Sequence, residues 1–517
     1  FEEIRKIAPS TSLIFSPCHR SHIDYLALSY LLYYKDLMLP QIVAGKNLNL
    51  PLVGPLLRKG GAFFMRRSFS NNRLYSVVFY EHLKKLMQRG HSIEFFPEGG
   101  RSRSGKLMPP RPGIISMILR SFLGMDEKQV SFVPISINYE KVLEGNSYIN
   151  EVMGAEKKKE NLKDIFSVFR DFRNYLGEAY LQFGEPINLN ALLKEYPLSD
   201  YSSEKDWLFK VTPVLGKKIM TTINDSTVVT STALFSLAIL NSDGFSISNR
   251  ELVSRIELLK SLLEEDKYSA KTLICEKTGE EIIDQMRKLG FLSKEDINDR
   301  ISLTNLEAAK LSFYRNNISH LLIFESLICG FFQYQKEIVK EDLLQSIKMI
   351  YPFLKEEFFL KWDEADLDQL INLKLSKLKN KNLILEDSNV YKRPDFKSKE
   401  FYETQSLGKL VQPSIDRFYV LISQLWKNSE EHISKNELER NSLEILKNLE
   451  KTQARLTPEF SEKWMFDVFL NRLIENKYVR EDDKGMLYPT RITQRLEKDA
   501  NKFLEPNWLK ELSKSTT

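Results

Sequence analysis

Residues 15–26 read FSPCHRSHIDYL and put His19, His22 and Asp24 within six positions, directly after the apolar run Leu13–Ser16. On one continuous helix, positions five apart sit about 140° apart and do not pair. His19 in a loop after a strand and Asp24 in the first turn of the next helix can meet. Ser21 is placed to cap that helix. A carboxylate on one imidazole nitrogen fixes the tautomer and orients the ring. The other nitrogen can then take a proton from a hydroxyl. The bland alternative is a capped helix start with a satisfied histidine. His22, three residues after His19, has the spacing of a metal pair, but no third ligand stands at a recognisable distance, so no metal is expected. Cys18 beside His19 offers a thiol nucleophile, or a small packing residue.

Three further stretches extend the chemistry. GGAFFMRRSF (60–69) places Arg66 and Arg67 after a short apolar strand. Strand ends are where α/β sheets hold ligands, and an arginine fork suits phosphate. EFFPEGGRSRSGK (94–106) turns at Pro97, carries Glu98, and follows it with Gly99 and Gly100, which let backbone amides approach a ligand closely. Arg101, Arg103 and Lys106 add positive charge. SFVPISINYE (131–140) is a strand interrupted by Pro134, which predicts an edge or a bulge. Between Arg58 and Arg111 there are 12 Lys/Arg and 3 Asp/Glu. That excess suits an anionic ligand or membrane surface, or is a solvated basic face.

The elements that must position these groups alternate strand and helix over residues 1–195. Strands are expected at Leu13–Ser16, Ala62–Met65, Ser92–Phe96 and Val130–Asn138. Helices are expected at Asp24–Tyr34, Asn72–Arg89 and Ile114–Leu123. The short apolar strands predict an α/β sheet covered on both faces. The uncharged stretch Tyr25–Tyr34 reads as a core helix, with membrane docking as its alternative. Residues 196–517 are mainly helical. There a helix followed by two short strands recurs at Ile282–Asn305, Leu373–Pro394 and Phe469–Thr490, the last with an Asp483-Lys-Gly485 hairpin turn. Each resembles the end of a winged-helix module. No concentrated basic recognition helix accompanies them, so an accessory role is expected and nucleic acid is not.

Composition agrees with a globular protein of two or three domains in 517 residues, 42% apolar and 28% charged, with a net charge of +5. Three scattered cysteines give no disulfide or metal framework and suit a reducing compartment. No apolar run reaches the ~18 residues of a spanning helix. The first residue is Phe1, so the chain reads as a fragment lacking a native N-terminal region.

Taken in order, the four stretches resemble the four motifs of the glycerolipid acyltransferases: His19-x4-Asp24, Gly61–Arg67, Phe96–Ser102 and Val133–Ser136. Gly100, where many relatives have Thr, matches the glycerol-3-phosphate branch. LPQIVAGKNLNLPLVGPLLRKGG, QFGEPINL, SFYRNNISHLLIFESL and IYPFLKEEFFLKWDEADL extend the likeness to the large, membrane-associated bacterial glycerol-3-phosphate acyltransferases over nearly the whole chain. That resemblance implies an α/β acyltransferase domain followed by a mainly helical C-terminal region. It implies transfer of a fatty acyl group from acyl-CoA or acyl carrier protein to the sn-1 hydroxyl of glycerol 3-phosphate, the first step of phospholipid synthesis, without an acyl-enzyme or cofactor. His19 is then the base and Asp24 its orienting partner. Arg67, Arg101 and Arg103 hold phosphate. Glu98 supports them by pairing with an arginine or binding the glycerol hydroxyl. Backbone amides near Gly99 are candidates for stabilising the oxyanion. Arg66 contacts substrate, or is a membrane-facing or ion-paired arginine; Lys106 and Arg111 are candidates for CoA phosphates. Location at the cytoplasmic face of the bacterial inner membrane, among membrane lipids, follows from the same resemblance. Acylation of dihydroxyacetone phosphate is the alternative within the class, and a non-catalytic scaffold or nucleic-acid regulator the alternative outside it.

Overall fold

A computed structural model of the chain describes residues 1–49, 51, 53–66, 72–125, 129–145, 148, 175–292, 299–430, 432–453, 463–499 and 502–504. The described residues fall into two compact units: one runs from Phe1 to Thr230 and regains Lys267–Cys275, and the other takes Ser231–Asp266 and the described residues from Glu276 on. The first unit therefore extends beyond residue 195, where the sequence suggested a boundary.

The first unit opens with α1 (Glu2–Ile7), β1 (Thr11–Pro17) and α2 (Asp24–Tyr34). Then come β2 (Gln41–Gly45), α3 (Val53–Lys59), β3 (Ala62–Met65), α4 (Arg73–Gln88), β4 (Ile93–Glu94), α5 (Pro112–Leu123) and β5 (Gln129–Tyr139). It continues with β6 (Ala179–Phe183), β7 (Ile187–Asn188), α6 (Leu189–Glu195) and α7 (Glu204–Asp225). The strands order as β3-β2-β4-β1-β5-β6, with β7 also on β5. β1 to β5 run parallel, while β6 and β7 run antiparallel to β5.

Local chemistry sets the boundaries. Asn72 caps α4 by accepting the Tyr75 amide at 2.9 Å, and Gly90 follows the helix with φ 77°. Pro112 supplies the first residue of α5, where its missing N–H costs nothing. Leu13, Ile14 and Phe15 of β1 and Val130, Phe132 and Val133 of β5 are buried together at the centre of the sheet. The steps β1 to β2 and β2 to β3 move one way along the sheet, and those through α4 and α5 move back. Right-handed crossovers then put α2 and α3 on one face and α4 and α5 on the other. Tyr25 of α2 and Leu57 of α3 accordingly pack on the same Ile42, Ala44 and Ala62 cluster.

Three expectations are corrected here. Pro134 lies on an interior strand, since β5 has β1 on one side and β6 and β7 on the other. It is tolerated because it falls between the β7 pairing at Ser131–Phe132 and the β6 pairing at Ile135–Tyr139, where its missing N–H leaves no ladder bond unmade. Ser21 does not cap α2: Ile23 is the N-cap residue and makes no side-chain cap bond. The Ser21 hydroxyl instead donates to Glu144 at 2.8 Å. Nor is α2 a core helix all round. Asp24, Leu28 and Leu32 are buried, while Tyr30, Tyr33 and Tyr34 are 70%, 73% and 70% exposed.

The second unit is built mainly of helices. Helix Ile323–Tyr334, strand Glu337–Val339, helices Lys340–Phe358 and Leu367–Asn380, and strands Leu385–Asp387 and Val390–Lys392 follow in sequence. The last strand pairs with both others. The same succession recurs from Gln412–Lys427 to Met486–Pro489, again with the final strand in the middle. Its hairpin turn contains Gly485 at φ 75°, and the Asp482 carboxylate accepts the Lys484 and Met486 amides at 2.9 Å.

Candidate active site

His19 leaves the end of β1 and Asp24 opens α2. His19 Nδ1 lies 2.8 Å from Asp24 Oδ2. The same oxygen accepts the Arg20 amide at 2.7 Å and the Ser21 amide at 2.9 Å, and Oδ1 accepts the Tyr139 hydroxyl at 2.6 Å. Asp24 is completely buried. It meets two amides and a phenol that donate to it, so Nδ1 of His19 carries the proton in this pair, and in the neutral ring Nε2 presents its lone pair. The imidazole also stacks on Phe96, with centroids 3.9 Å apart. Ring orientation is thus fixed from its edge and from its face.

Glu98 ties this loop to the glycine turn. Its Oε1 accepts the His19 amide at 2.7 Å and its Oε2 the Met108 amide at 2.9 Å. Burial pushes its carboxyl above the ordinary range. Each oxygen accepts one backbone amide, and the Arg20 charge acts on the carboxyl, so Glu98 braces the loop. Gly99 has φ 68° and donates its amide to the Phe96 carbonyl at 3.0 Å. Its own N–H is therefore spent within the turn and does not serve an oxyanion. A Cβ there would lie 2.7 Å from Arg111 Cγ, so glycine is required. Ser102 donates its amide to the His19 carbonyl at 2.9 Å, and the buried Arg20 guanidinium bonds the Gly105 and Lys106 carbonyls. The histidine loop and the glycine loop form one hydrogen-bonded body.

Arg101 points into a third segment, the turn after β5. Its Nη1 is 3.3 Å from Tyr148 Oη and 3.7 Å from Glu144 Oε1. Glu144 also accepts the Ser21 hydroxyl and, at 2.6 Å, the His22 amide. The Tyr148 hydroxyl donates to the Arg20 carbonyl at 2.7 Å. Tyr139, Glu144 and Tyr148 were absent from the sequence-based candidates. The one signal for Tyr139 was its place on the Ile135, Ile137 face of β5. Glu144 and Tyr148 gave none beyond their four-residue spacing.

Arg103 is half-buried in the glycine loop. Arg66 follows β3 and is exposed, its guanidinium 4.7 Å from the Tyr75 ring centroid. Arg67 lies outside the described residues. Lys106 is buried and Arg111 exposed. Cys18 is buried against β5, its Sγ accepting the Ile137 amide at 3.2 Å, and burial pushes its thiol up to about 12. It packs as a neutral thiol. Glu94 on β4 is fully buried, and neither carboxyl oxygen has a hydrogen-bond partner among the described residues. Burial, and then the charge of Asp24, push it well above the usual carboxylate range. Among the described residues no cluster of His, Cys, Asp and Glu could hold a metal, and no helix is long and apolar enough to cross a membrane.

Comparison with known proteins fits this arrangement. A family model described as Acyltransferase matches residues 1–138, and one described as Glycerol-3-phosphate acyltransferase C-terminal region matches residues 148–482. The chain is 36% identical over 494 residues to the glycerol-3-phosphate acyltransferase of Pseudomonas putida strain GB-1, covering 94% of this chain and 60% of that protein. Against the enzyme of that name from Pseudomonas entomophila strain L48 it is 35% identical over 512 residues, covering 97% and 62%. Against that of Pseudomonas paraeruginosa strain PA7 it is 34% identical over 514 residues, covering 98% and 62%. The chain thus spans about three fifths of the length of these relatives. With one family model on the sheet that carries the dyad and another over most of the remainder, the chain belongs to the glycerol-3-phosphate acyltransferase family.

Proposed function

We propose that this chain transfers a fatty acyl group from acyl-CoA or acyl carrier protein to the sn-1 hydroxyl of glycerol 3-phosphate, giving 1-acyl-glycerol 3-phosphate. The observation that carries the proposal is the His19–Asp24 pair, held at 2.8 Å beside the Arg101 loop in a chain of this family. His19 Nε2 takes the hydroxyl proton as the oxygen attacks the thioester carbonyl. The tetrahedral oxyanion collapses, the C–S bond breaks, and the leaving thiolate receives the proton from His19. The thioester is already activated, so the chemistry calls for no cofactor or metal. Gly100, whose amide makes no hydrogen bond among the described residues, replaces Gly99 as the candidate oxyanion donor; one such donor is worth about 2.7–4 kcal/mol. Arg101, Arg67 and Arg103 hold the phosphate, with Arg66 at the margin.

The finer reading of the second unit belongs here as well. Its two recurring groups of helix, strand, two helices and two strands, with the last strand central, support winged-helix-like modules that serve packing. A place at the cytoplasmic face of the bacterial inner membrane is the location this function requires.

Acyl transfer from palmitoyl-CoA tests the proposal, with wild type beside His19→Ala and dihydroxyacetone phosphate as an alternative acceptor. Activity on glycerol 3-phosphate in the wild type alone supports it. Equal activity in both removes His19 as base, and preference for dihydroxyacetone phosphate moves the substrate.

A further inference from the structure

The outer face of α2 is the least expected surface of the first unit. Between Asp24 and Lys35 the helix holds no charged residue. An apolar helix of this kind is ordinarily enclosed. Here Leu28 and Leu32 face the sheet, while Leu26, Tyr30, Tyr33 and Tyr34, at i, i+4, i+7 and i+8, form an exposed stripe. Tyr30 and Tyr34 stack on each other with centroids 6.3 Å apart, in the open. The stripe continues into the exposed Met38 and Leu39 beyond the helix. On α3, which covers the same face of the sheet, Leu56 is 69% exposed.

The charges of the segment that carries this surface are one-sided. From Tyr25 to Arg66 the chain has five cations, Lys35, Lys46, Arg58, Lys59 and Arg66, and a single acid, Asp36. All five cations are exposed. Exposed apolar and tyrosyl side chains in a segment rich in exposed cations match the boundary of an anionic bilayer. There, aromatic rings with a polar tip sit at headgroup depth, and Lys and Arg meet lipid phosphates. A protein partner with an apolar groove would not need the accompanying positive charge.

We propose that the exposed face of α2, with the adjoining residues Met38, Leu39 and Leu56, is a docking surface for an anionic lipid bilayer. This rests on the acyltransferase reading for its purpose only. The stripe begins at Leu26, two residues from Asp24, so docking there sets the dyad beside the phase into which acyl chain and product partition. The helix lies along the surface and does not enter the hydrocarbon core.

The test is co-sedimentation of the 517-residue chain with vesicles of phosphatidylethanolamine and phosphatidylglycerol, or of phosphatidylcholine alone, at physiological salt. The Tyr30→Ser/Tyr33→Ser/Tyr34→Ser triple variant is compared with wild type and with Phe209→Ser/Phe396→Ser, which removes two exposed rings elsewhere. Circular dichroism and a melting curve check that all three fold. The expected result is wild-type binding that favours the anionic vesicles. The triple variant should bind at least about tenfold more weakly, and the control should match wild type. Equal binding by the triple variant, or no wild-type binding to anionic vesicles, overturns the proposal. Tyrosine-dependent self-association in sedimentation equilibrium, without vesicle binding, overturns it in favour of a second copy on this face. Failure of the acyltransferase reading looks different: the wild type would bind vesicles yet transfer no acyl group to glycerol 3-phosphate.

Discussion

Tyr139→Phe removes one atom from the site and leaves the strand and ring in place. That atom donates to Asp24 Oδ1 at 2.6 Å in a region closed to solvent, and no other hydrogen bond reaches this oxygen among the described residues. A hydrogen bond to a charged group contributes about 1.5–3 kcal/mol, and burial here prevents water from substituting. At about 1.4 kcal/mol per decade, this is about a 10- to 150-fold range. Asp24 Oδ2 keeps its three donors, so the carboxylate stays aligned with His19, and the lower part of the range, about 10- to 50-fold, is expected. The loss should fall on kcat, because Tyr139 touches the dyad and the arginine loop is held by Glu144 and Tyr148. The KM for glycerol 3-phosphate should stay within about twofold. Asp24→Asn should be far more damaging, near the ~10⁴-fold seen when an orienting carboxylate is lost from a histidine-based site. The assay is initial rates of acyl transfer from palmitoyl-CoA in detergent micelles, on variants checked by circular dichroism. Full activity in Tyr139→Phe, or a loss appearing only as raised KM, would refute Tyr139 as the anchor of the dyad.

Cys18→Ala should retain activity within about threefold, because a buried thiol whose pKa is raised to about 12 is no nucleophile at neutral pH; trapping of an acyl-thioester on the wild-type chain would reverse that reading. Gly99→Ala should cost about 2 kcal/mol or more in stability and most of the activity, since φ 68° and a contact of 2.7 Å to Arg111 Cγ both oppose a side chain; an unchanged urea midpoint would show that the turn relaxes freely. Glu94→Gln tests the buried carboxyl through pH. The folded pKa is raised, so the native state holds a proton that the unfolded chain gives up above about 4.3. Wild-type stability should therefore fall relative to Glu94→Gln as pH rises from 5 to 8, by up to about 1.4 kcal/mol per unit until the folded pKa is reached. Parallel urea midpoints for the two proteins across that range would show that Glu94 is not protonated in the fold.

What the sequence made legible is what short-range rules control. The α2 bounds and β3 agree with the structure residue for residue, because an aspartate at a helix start and an apolar quartet between a glycine pair and an arginine pair are local signals. His19 and Asp24 were readable for the same reason: five positions of chain and one change of backbone conformation bring them together. The support for that pair comes from far along the chain. Tyr139 is 115 positions from Asp24, Glu144 is 123 from Ser21, and Tyr148 is 128 from Arg20. No periodicity announces such partners, since they meet only because β5 pairs with β1 in a register that sets Pro17 against Ile135. Ser21 shows how this misleads local reasoning. Its type and place fit a helix cap, and a buried carboxylate from the end of the sheet takes its hydroxyl instead. Pro134 errs in the same direction, excused by a gap between two strands that its own neighbourhood does not reveal. The reacting groups are thus local in sequence, while the residues that fix their geometry depend on strand order. Motif residues alone, grafted onto another sheet without Tyr139, Glu144 and Tyr148, should reproduce the spacing of His19 and Asp24 but not their alignment.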